Sequence, residues 1–333
     1  MKYKSIIVTR RGGPEVLEIV EQNLRLPAAR EVRIKVLAVP VCAPDITARY
    51  GKSPFVPKPP YTPGYAFIGT VDAIGKGVTQ IAIGERVAAL TAYNSYSEYV
   101  YWKADQLIPV PPAIDPGEAA PIILNYLVAY HVIHRWAQSK AGDKVLIIGA
   151  SGGIGTAILQ LGKLAQLTMY GVASKSKHHL LVEYGATPID YHEQDFVQIL
   201  HQVEPEGLDA VFDGMAGYSF KRGYSVLRRG GVLVGYGNPE SYSGTLQVLL
   251  RVVLYNLIPN GKSAKYYSTG AMRLNRRIYL EDWAILFRLM EEGKIKPIIA
   301  AKFPILQASE ANKLLETGQV IGNVVLIAPD LPP

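Results

Sequence analysis

Val145 to Ile148 is a short run with no polar interruption, which suits a strand buried on both faces. It runs into Gly149-Ala150-Ser151-Gly152-Gly153-Ile154-Gly155, a stretch with almost no side-chain bulk. Ile158, Leu159, Leu161, Leu164 and Ala165 then recur at helical spacing. The pattern on either side of this strand, turn and helix differs in kind. Before about residue 120, apolar runs at Ser5 to Thr9, Val32 to Val39, Ala66 to Ala73 and Arg86 to Leu90 predict strands. Gly-Gly, Pro-Gly and Pro-Pro pairs punctuate them. Val32 to Val39 alternates as a half-exposed strand does. Pro54, Pro57, Pro59, Pro60 and Pro63 predict an extended surface loop. This region reads as an antiparallel, barrel-like β domain.

From about Pro121 the rhythm alternates. A helix is predicted over Leu124 to Trp136, strands at Thr168 to Ala173, Ala210 to Asp213 and Val232 to Tyr236, and helices at Lys177 to Tyr184 and Ser219 to Leu227. The first of these two helices ends at Gly185, the second at Gly230-Gly231. Such alternation predicts a doubly wound parallel sheet covered on both faces. Tyr279 to Glu292 is a further helix and Ala311 to Leu315 a later apolar run. The last strand, Asn323 to Ile327, is expected to return to the first domain and make it discontinuous. The expected division is 1–122 with 269–333 for the β domain and 123–268 for the doubly wound domain.

Length and composition fit that division. The chain has 333 residues, 49% of them hydrophobic, enough for two cores. One cysteine excludes a disulfide framework and suits a reducing compartment. The N-terminus is charged and lacks an apolar signal-peptide core. No window reaches the roughly 18 apolar residues of a membrane span. Leu246 to Ile258, the longest candidate, is too short and contains Arg251 and Asn256. A cytoplasmic location is expected. The formal net charge of +7 suits an anionic cofactor, nucleic acid or an acidic membrane surface. The densest basic group, Lys262, Lys265, Arg273, Arg276 and Arg277, reads as a solvated face.

The glycine turn carries the first chemistry. Glycines let the backbone approach a pyrophosphate, and the following helix presents free N–H groups and its positive dipole end. The end of the next strand chooses the dinucleotide, because an acid there binds a ribose 2′-hydroxyl and repels a 2′-phosphate. Here Ser174 stands in that place, beside Lys175 and Lys177. A hydroxyl and ammonium groups suit a phosphate, so NADP(H) is the expected cofactor.

TRRGGPEVLEIVE, TPGYAFIGTVDAIGKGV, IGERVAALT, LNYLVAYHVI, VLIIGASGGIG, YGATPIDY, DAVFDGMAG, LRRGGVLVGYG and VIGNVVLIAP together resemble zinc-independent medium-chain dehydrogenases/reductases of the quinone oxidoreductase type. The chain is most similar to the branch with vesicle amine transport protein-like members, and the resemblance covers essentially its whole length. It implies a Rossmann domain inserted into a GroES-like twisted β catalytic domain, an active site in the cleft between them, and a homodimer. It also implies NADP(H) contacts: Gly152, Gly153, Ile154 and Gly155 at the pyrophosphate, and Ser174, Lys177 and Tyr191 at the 2′-phosphate. Gly235, Tyr236 and Gly237 would border the nicotinamide side. Asn323 would lie near the cofactor, where many relatives carry lysine.

Zinc-dependent relatives use Cys, His and Cys as catalytic ligands. Cys42-Ala43-Pro44-Asp45 resembles the first ligand segment, but the second position is Tyr65 and the third is near Leu124. One thiolate cannot build the three-ligand site that catalytic zinc needs, so no metal is expected. The same alignment places Cys42, Asp45 and Tyr65 near the nicotinamide, with Asp45 or a water holding the Tyr65 hydroxyl. Quinone oxidoreductase relatives usually have Asn at Cys42, Thr at Val128 and often Tyr near Thr47. All three differ here, which implies a more apolar pocket.

Without a metal, a conjugated acceptor is easier to reduce than a simple ketone. Hydride would add to a quinone or to the β-carbon of an enone or enoyl compound, and a donor would meet the developing oxyanion. Tyr65, Tyr50, Tyr93 and Tyr96 are candidate donors. Cys42 is a possible nucleophile, or a small buried filler. The competing reading is a weakly or non-catalytic NADP(H)-binding adaptor at a membrane or lipid surface. It is motivated by the basic group and the apolar run before it. Nucleic-acid binding has no motif behind it.

Overall fold

In the computed structural model, 53–55, 238, 240, 270–274, 330 and 332–333 fall outside the described residues, as does the side chain of Tyr242. Pro54 of the proline-rich loop and Arg273 of the basic group are therefore not described. The chain forms two compact units, Met1–Leu124 with Trp283–Pro333, and Asn125–Asp282. Residues 269–282, which the sequence pattern assigned to the first unit, belong to the second.

The first unit opens with a hairpin of β1 (Lys2–Val8) and β2 (Leu17–Asn23). Next come β3 (Glu31–Val41), α1 (Ala43–Arg49), β4 (Ala66–Ile74), β5 (Arg86–Leu90), β6 (Tyr99–Lys103), β7 (Ile108–Pro109) and α2 (Pro116–Pro121). β3 alternates buried and open positions as far as Ala38. Beyond Val39 it is buried throughout, because it is the central strand. It pairs with β4 on one side, and on the other with β6 along its first half and with the chain's last strand along its second.

The helix expected over Leu124 to Trp136 is longer than its apolar pattern. It begins at Pro116 under the Asp115 N-cap, whose carboxylate accepts the Glu118 N–H. It continues through π-helical Ile122–Tyr126, α3 (Leu127–Tyr130) and π-helical His131–Ala137. Pro121 inside it removes one backbone donor.

In the second unit follow β8 (Lys144–Ile148), α4 (Gly153–Leu164), β9 (Thr168–Ala173), α5 (His178–Glu183), β10 (Ala186–Asp190), α6 (Phe196–Val203), β11 (Leu208–Asp213), α7 (Tyr218–Ser225), β12 (Leu227–Gly235), α8 (Tyr242–Leu257) and β13 (Ser263–Tyr266). The strand order is β10-β9-β8-β11-β12-β13, all parallel. Counted by appearance, that is 3-2-1-4-5-6, the order of a Rossmann sheet.

The helix expected to reach Leu227 stops at Ser225, and β12 starts at Leu227. Gly230 and Gly231 do not end a helix. They absorb a register shift within β12 where it pairs with β11. Buried His131 and Asp282 meet at 2.8 Å, and Arg135 adds a second pair to the same carboxylate, fixing the start of α9 (Arg276–Glu291) inside this unit.

The rest of the chain is β14 (Ile299–Pro304), α10 (Ala308–Glu316) and β15 (Asn323–Ile327). β15 pairs with β3 and returns the chain to the first unit's sheet, of order β14-β15-β3-β4-β5-β7. No helix among the described residues is long and apolar enough to cross a membrane.

Candidate active site

In the Rossmann sheet the strand order reverses at β8, with β9 on one side and β11 on the other. Such switch points leave a crevice at the carboxyl ends of the strands. The glycine turn leaves β8 there, and the loop after Asp213 leaves β11.

Two glycines of the turn serve the fold itself. Gly149 has φ +84°, which favours glycine. A Cβ on Gly155 would collide with the Gly149 carbonyl oxygen and the Ala150 backbone. Gly152 is different. A Cβ there would meet only the Gly149 oxygen at 3.6 Å, so the turn's own packing does not demand glycine. Gly152 is the exposed N-cap of α4 and supplies no side-chain cap to the N–H groups of Gly153, Ile154 and Gly155. An open helix N-terminus with no acid in its first turn fits a pyrophosphate.

Ser174 follows β9, and Tyr191 follows β10, whose last residue Asp190 is in register with Ala173. The two positions thus share one end of neighbouring strands. Ser174 Oγ lies 3.3 Å from Ser176 Oγ, and Lys175 is paired with Glu193. Lys177 is buried, and burial lowers its pKa. Tyr191 is exposed, with its ring against His192.

At the end of β12, a Cβ on Gly235 would lie 2.7 Å from the Phe220 ring, and one on Gly237 would strike the Gly214 carbonyl. Between them the Tyr236 hydroxyl is buried without a hydrogen-bond partner among the described residues, and burial raises its pKa. A residue without an expected role holds this corner together. Asp213 is fully buried. Its carboxylate accepts from the N–H groups of Met215 and Ala216 and from Ser219 Oγ, and its carbonyl accepts the Tyr236 N–H. Its sequence signal was an acid closing the apolar run Ala-Val-Phe, directly before a glycine.

In the first unit, Cys42 caps α1 in a capping box with Asp45. The thiol is buried and faces the Pro40 carbonyl at 3.6 Å. Burial, then the nearby Asp45, hold its pKa well above the ordinary value. That environment suits the filler role and opposes a thiolate. Asp45 accepts from the N–H groups of Cys42 at 3.0 Å and Gly64 at 3.1 Å, and from the Tyr96 hydroxyl at 3.3 Å. Burial pushes its pKa up to about 7 against those bonds.

A phenol that Asp45 holds is thus that of Tyr96, a contact the sequence pattern did not anticipate. Tyr96 is wholly buried and forms no part of an open surface. Half-buried Tyr65 is brought beside the group through Gly64, and its carbonyl accepts from Thr91 and Ala92. Tyr50 belongs elsewhere. It is exposed at the end of α1, with its hydroxyl 3.4 Å from Glu316, which also pairs with buried Arg49. Tyr93 is exposed as well, between Ala92 and Asn94, whose N–H groups bond to the Tyr65 and Thr62 carbonyls. The Asn323 carboxamide donates to the Ile298 carbonyl at 3.0 Å. No group of three His, Cys, Asp or Glu able to hold a metal occurs among the described residues.

Two family descriptions match the chain: an alcohol dehydrogenase GroES-like domain over residues 28–112, and a zinc-binding dehydrogenase domain over residues 184–326. The synaptic vesicle membrane protein VAT-1 homolog of Homo sapiens is 30% identical over 97% of this chain and 86% of its own length. A 2-haloacrylate reductase of Burkholderia is 26% identical over 96% of this chain and 98% of its own. The crystal structure of Escherichia coli quinone oxidoreductase complexed with NADPH superposes with a TM-score of 0.86 at 27% identity, covering 97% of this chain and 99% of that one. Matched along nearly its whole length, the chain belongs to the medium-chain dehydrogenase/reductase superfamily, in its zinc-independent, quinone oxidoreductase-type group near the VAT-1 branch.

Proposed function

We propose that this protein is an NADPH-dependent, zinc-independent reductase that transfers hydride to quinones or α,β-unsaturated carbonyl compounds. One observation carries the cofactor reading. The open glycine turn at the switch point is followed, at the end of β9, by Ser174 and Lys177 instead of an acid. Gly152 to Gly155 hold the pyrophosphate on the first turn of α4. Ser174 and Lys177, with Tyr191, take the 2′-phosphate through charge-assisted hydrogen bonds. Gly235, Tyr236 and Gly237 keep one wall close, and Asp213 fixes that wall. NADPH supplies a hydride when bound. The complex of the related quinone oxidoreductase with NADPH supports the same choice.

On the acceptor side, the 2-haloacrylate reductase relative supports reduction of a C=C bond conjugated to a carboxyl or carbonyl group. As the β-carbon gains hydride, negative charge develops on the carbonyl oxygen. We assign Tyr65 to donate a hydrogen bond to that oxygen, and a proton from solvent completes the α-carbon. Asp45 positions the turn that carries Tyr65, and Cys42 fills space beneath it.

The test is NADPH oxidation against 9,10-phenanthrenequinone, benzoquinones, enals, enones, simple ketones and simple aldehydes. Turnover confined to the quinone and conjugated members is expected. Turnover confined to simple ketones, or none with any member, refutes the proposal.

A further inference from the structure

Gly235-Tyr236-Gly237 has no hydrogen-bonding side chain to anchor it. Its glycines carry none, and the Tyr236 hydroxyl is buried without a hydrogen-bond partner among the described residues. The place of this stretch is therefore set through its backbone. On the β11 side the Asp213 carbonyl accepts the N–H groups of Tyr236 at 2.9 Å and Gly237 at 3.3 Å. On the other side stands β13, and there the bonds come from two adjacent tyrosines. The Tyr267 N–H donates to the Gly235 carbonyl at 2.8 Å, and the Tyr266 hydroxyl donates to the Gly237 carbonyl at 2.6 Å.

Tyr266 reaches Gly237 because Gly235 lacks a side chain. Tyr266 and Gly235 are in register between β13 and β12, and a Cβ on Gly235 would lie 3.2 Å from the Tyr266 ring. Burial, then the nearby Asp213, push the Tyr266 pKa up to about 12. At neutral pH the hydroxyl thus keeps the proton it donates.

Tyr267 is held from behind. It is buried, and its hydroxyl lies 3.0 Å from His131 Nδ1. His131 Nε2 lies 2.8 Å from Asp282 Oδ2. Burial opposes the charge on Asp282, but the bonds from His131 and Arg135 outweigh it and hold its pKa below the ordinary value. The carboxylate accepts from Nε2–H, which leaves Nδ1 to accept the Tyr267 O–H. The Trp136 ring packs edge-on against Tyr267, and the Tyr279 ring against His131. A buried network with its members bonded rigidifies what it touches. Here one end is the Asp282 ion pair and the other is the Gly235 carbonyl.

We propose that Tyr266 and Tyr267 are positioning residues for hydride transfer. With His131 and Asp282 behind them, they set how closely Gly235-Tyr236-Gly237 approaches the nicotinamide. This rests on the reading of that stretch as the nicotinamide-side wall. A misplacement of ~1 Å in such a wall can cost roughly 100-fold in rate. Tyr266→Phe keeps the ring and removes the bond to Gly237. Tyr267→Phe keeps the backbone N–H and removes the bond to His131; should the buried His131 acceptor left behind prevent folding, Tyr266→Phe carries the test. Each variant is expected to lower turnover of 9,10-phenanthrenequinone by roughly 10- to 100-fold. Deuterium at the transferring C4 of NADPH should slow both variants more than wild type, because hydride transfer then limits turnover. The NADPH dissociation constant should rise, while that of adenosine 2′,5′-bisphosphate, which has no nicotinamide, stays unchanged. Tyr224→Phe is the control. It removes a buried phenol whose hydroxyl bonds to Asn260, before the start of β13, and should turn over as wild type does. Variants that keep wild-type turnover and NADPH affinity overturn the proposal and leave the reductase reading standing. So do variants that weaken NADPH and adenosine 2′,5′-bisphosphate alike, or that lose turnover only as far as Tyr224→Phe does. A wild type without turnover refutes the reductase reading alone, and the two dissociation constants then decide the proposal on the same terms.

Discussion

Replacing Asp45 by Asn keeps the side chain's shape and removes its proton chemistry. In the unfolded chain the carboxyl titrates near 3.8; in the fold, burial carries it to about 7. Between those values the folded state holds a proton that the unfolded state has released. Stability therefore falls as pH rises through the window and levels off above it. At ~1.4 kcal/mol per unit, a gap of about three units amounts to roughly 4 kcal/mol. The Asn side chain has no such dependence. Its amide oxygen can face only one of the Cys42 and Gly64 N–H groups, and leaving the other unsatisfied costs about 1–3 kcal/mol. The variant is thus expected to be less stable than wild type near pH 5 by about that amount. The gap closes or reverses near pH 8, as the wild type alone loses stability. Urea unfolding of both proteins from about pH 5 to about pH 8 reads this difference directly. A gap that stays constant across the range would falsify the burial of an ionisable Asp45.

Lys177→Glu is expected to raise the NADPH dissociation constant at least about 10-fold while changing that of NADH little, as isothermal titration would show; equal effects contradict the 2′-phosphate role. Gly155→Ala drives a Cβ into the Gly149 carbonyl and Ala150 backbone. Overpacking of this kind costs about 1–3 kcal/mol and should lower the melting temperature and weaken NADPH together; an unperturbed variant would show that the turn can yield. Tyr65→Phe should cut reductase turnover by roughly 100-fold with the NADPH dissociation constant unchanged. Unchanged turnover would remove Tyr65 as the donor.

The cofactor half of the site was legible because it is local. An apolar run, a glycine turn and a helical stripe lie within twenty or so residues, and β9 follows with its own end residues. Elements whose own residues carry a weak or misleading pattern were not legible. β2 is an exposed hairpin strand of mixed polarity, read as LEIVEQN, and gives no period-2 stripe. β10 contains Pro188, which argues against a strand. It is tolerated because β10 is the outer strand of its sheet. Gly230 and Gly231 resemble a helix stop but act as a bulge, which only the register with β11 reveals. On the acceptor side, Cys42-Ala43-Pro44-Asp45 marked the capped helix, while the choice among tyrosines needed three dimensions. Tyr96 is buried on Asp45, and Tyr50 turns to Glu316. The run from Leu246 to Ile258 was read for its length and, with the basic group after it, as a possible lipid-facing stretch. Its outward face became evident once Asn256 and Arg251 were seen to fix the inner one.

Hydride transfer to a conjugated carbon is the central claim, and isotope transfer tests it most directly. Turnover of an enone with NADPH deuterated at the transferring C4 position, followed by NMR of the product, locates the label. The account predicts a saturated ketone carrying deuterium on the β-carbon. Deuterium on the carbinol carbon of an allylic alcohol, or a product without label, would contradict it.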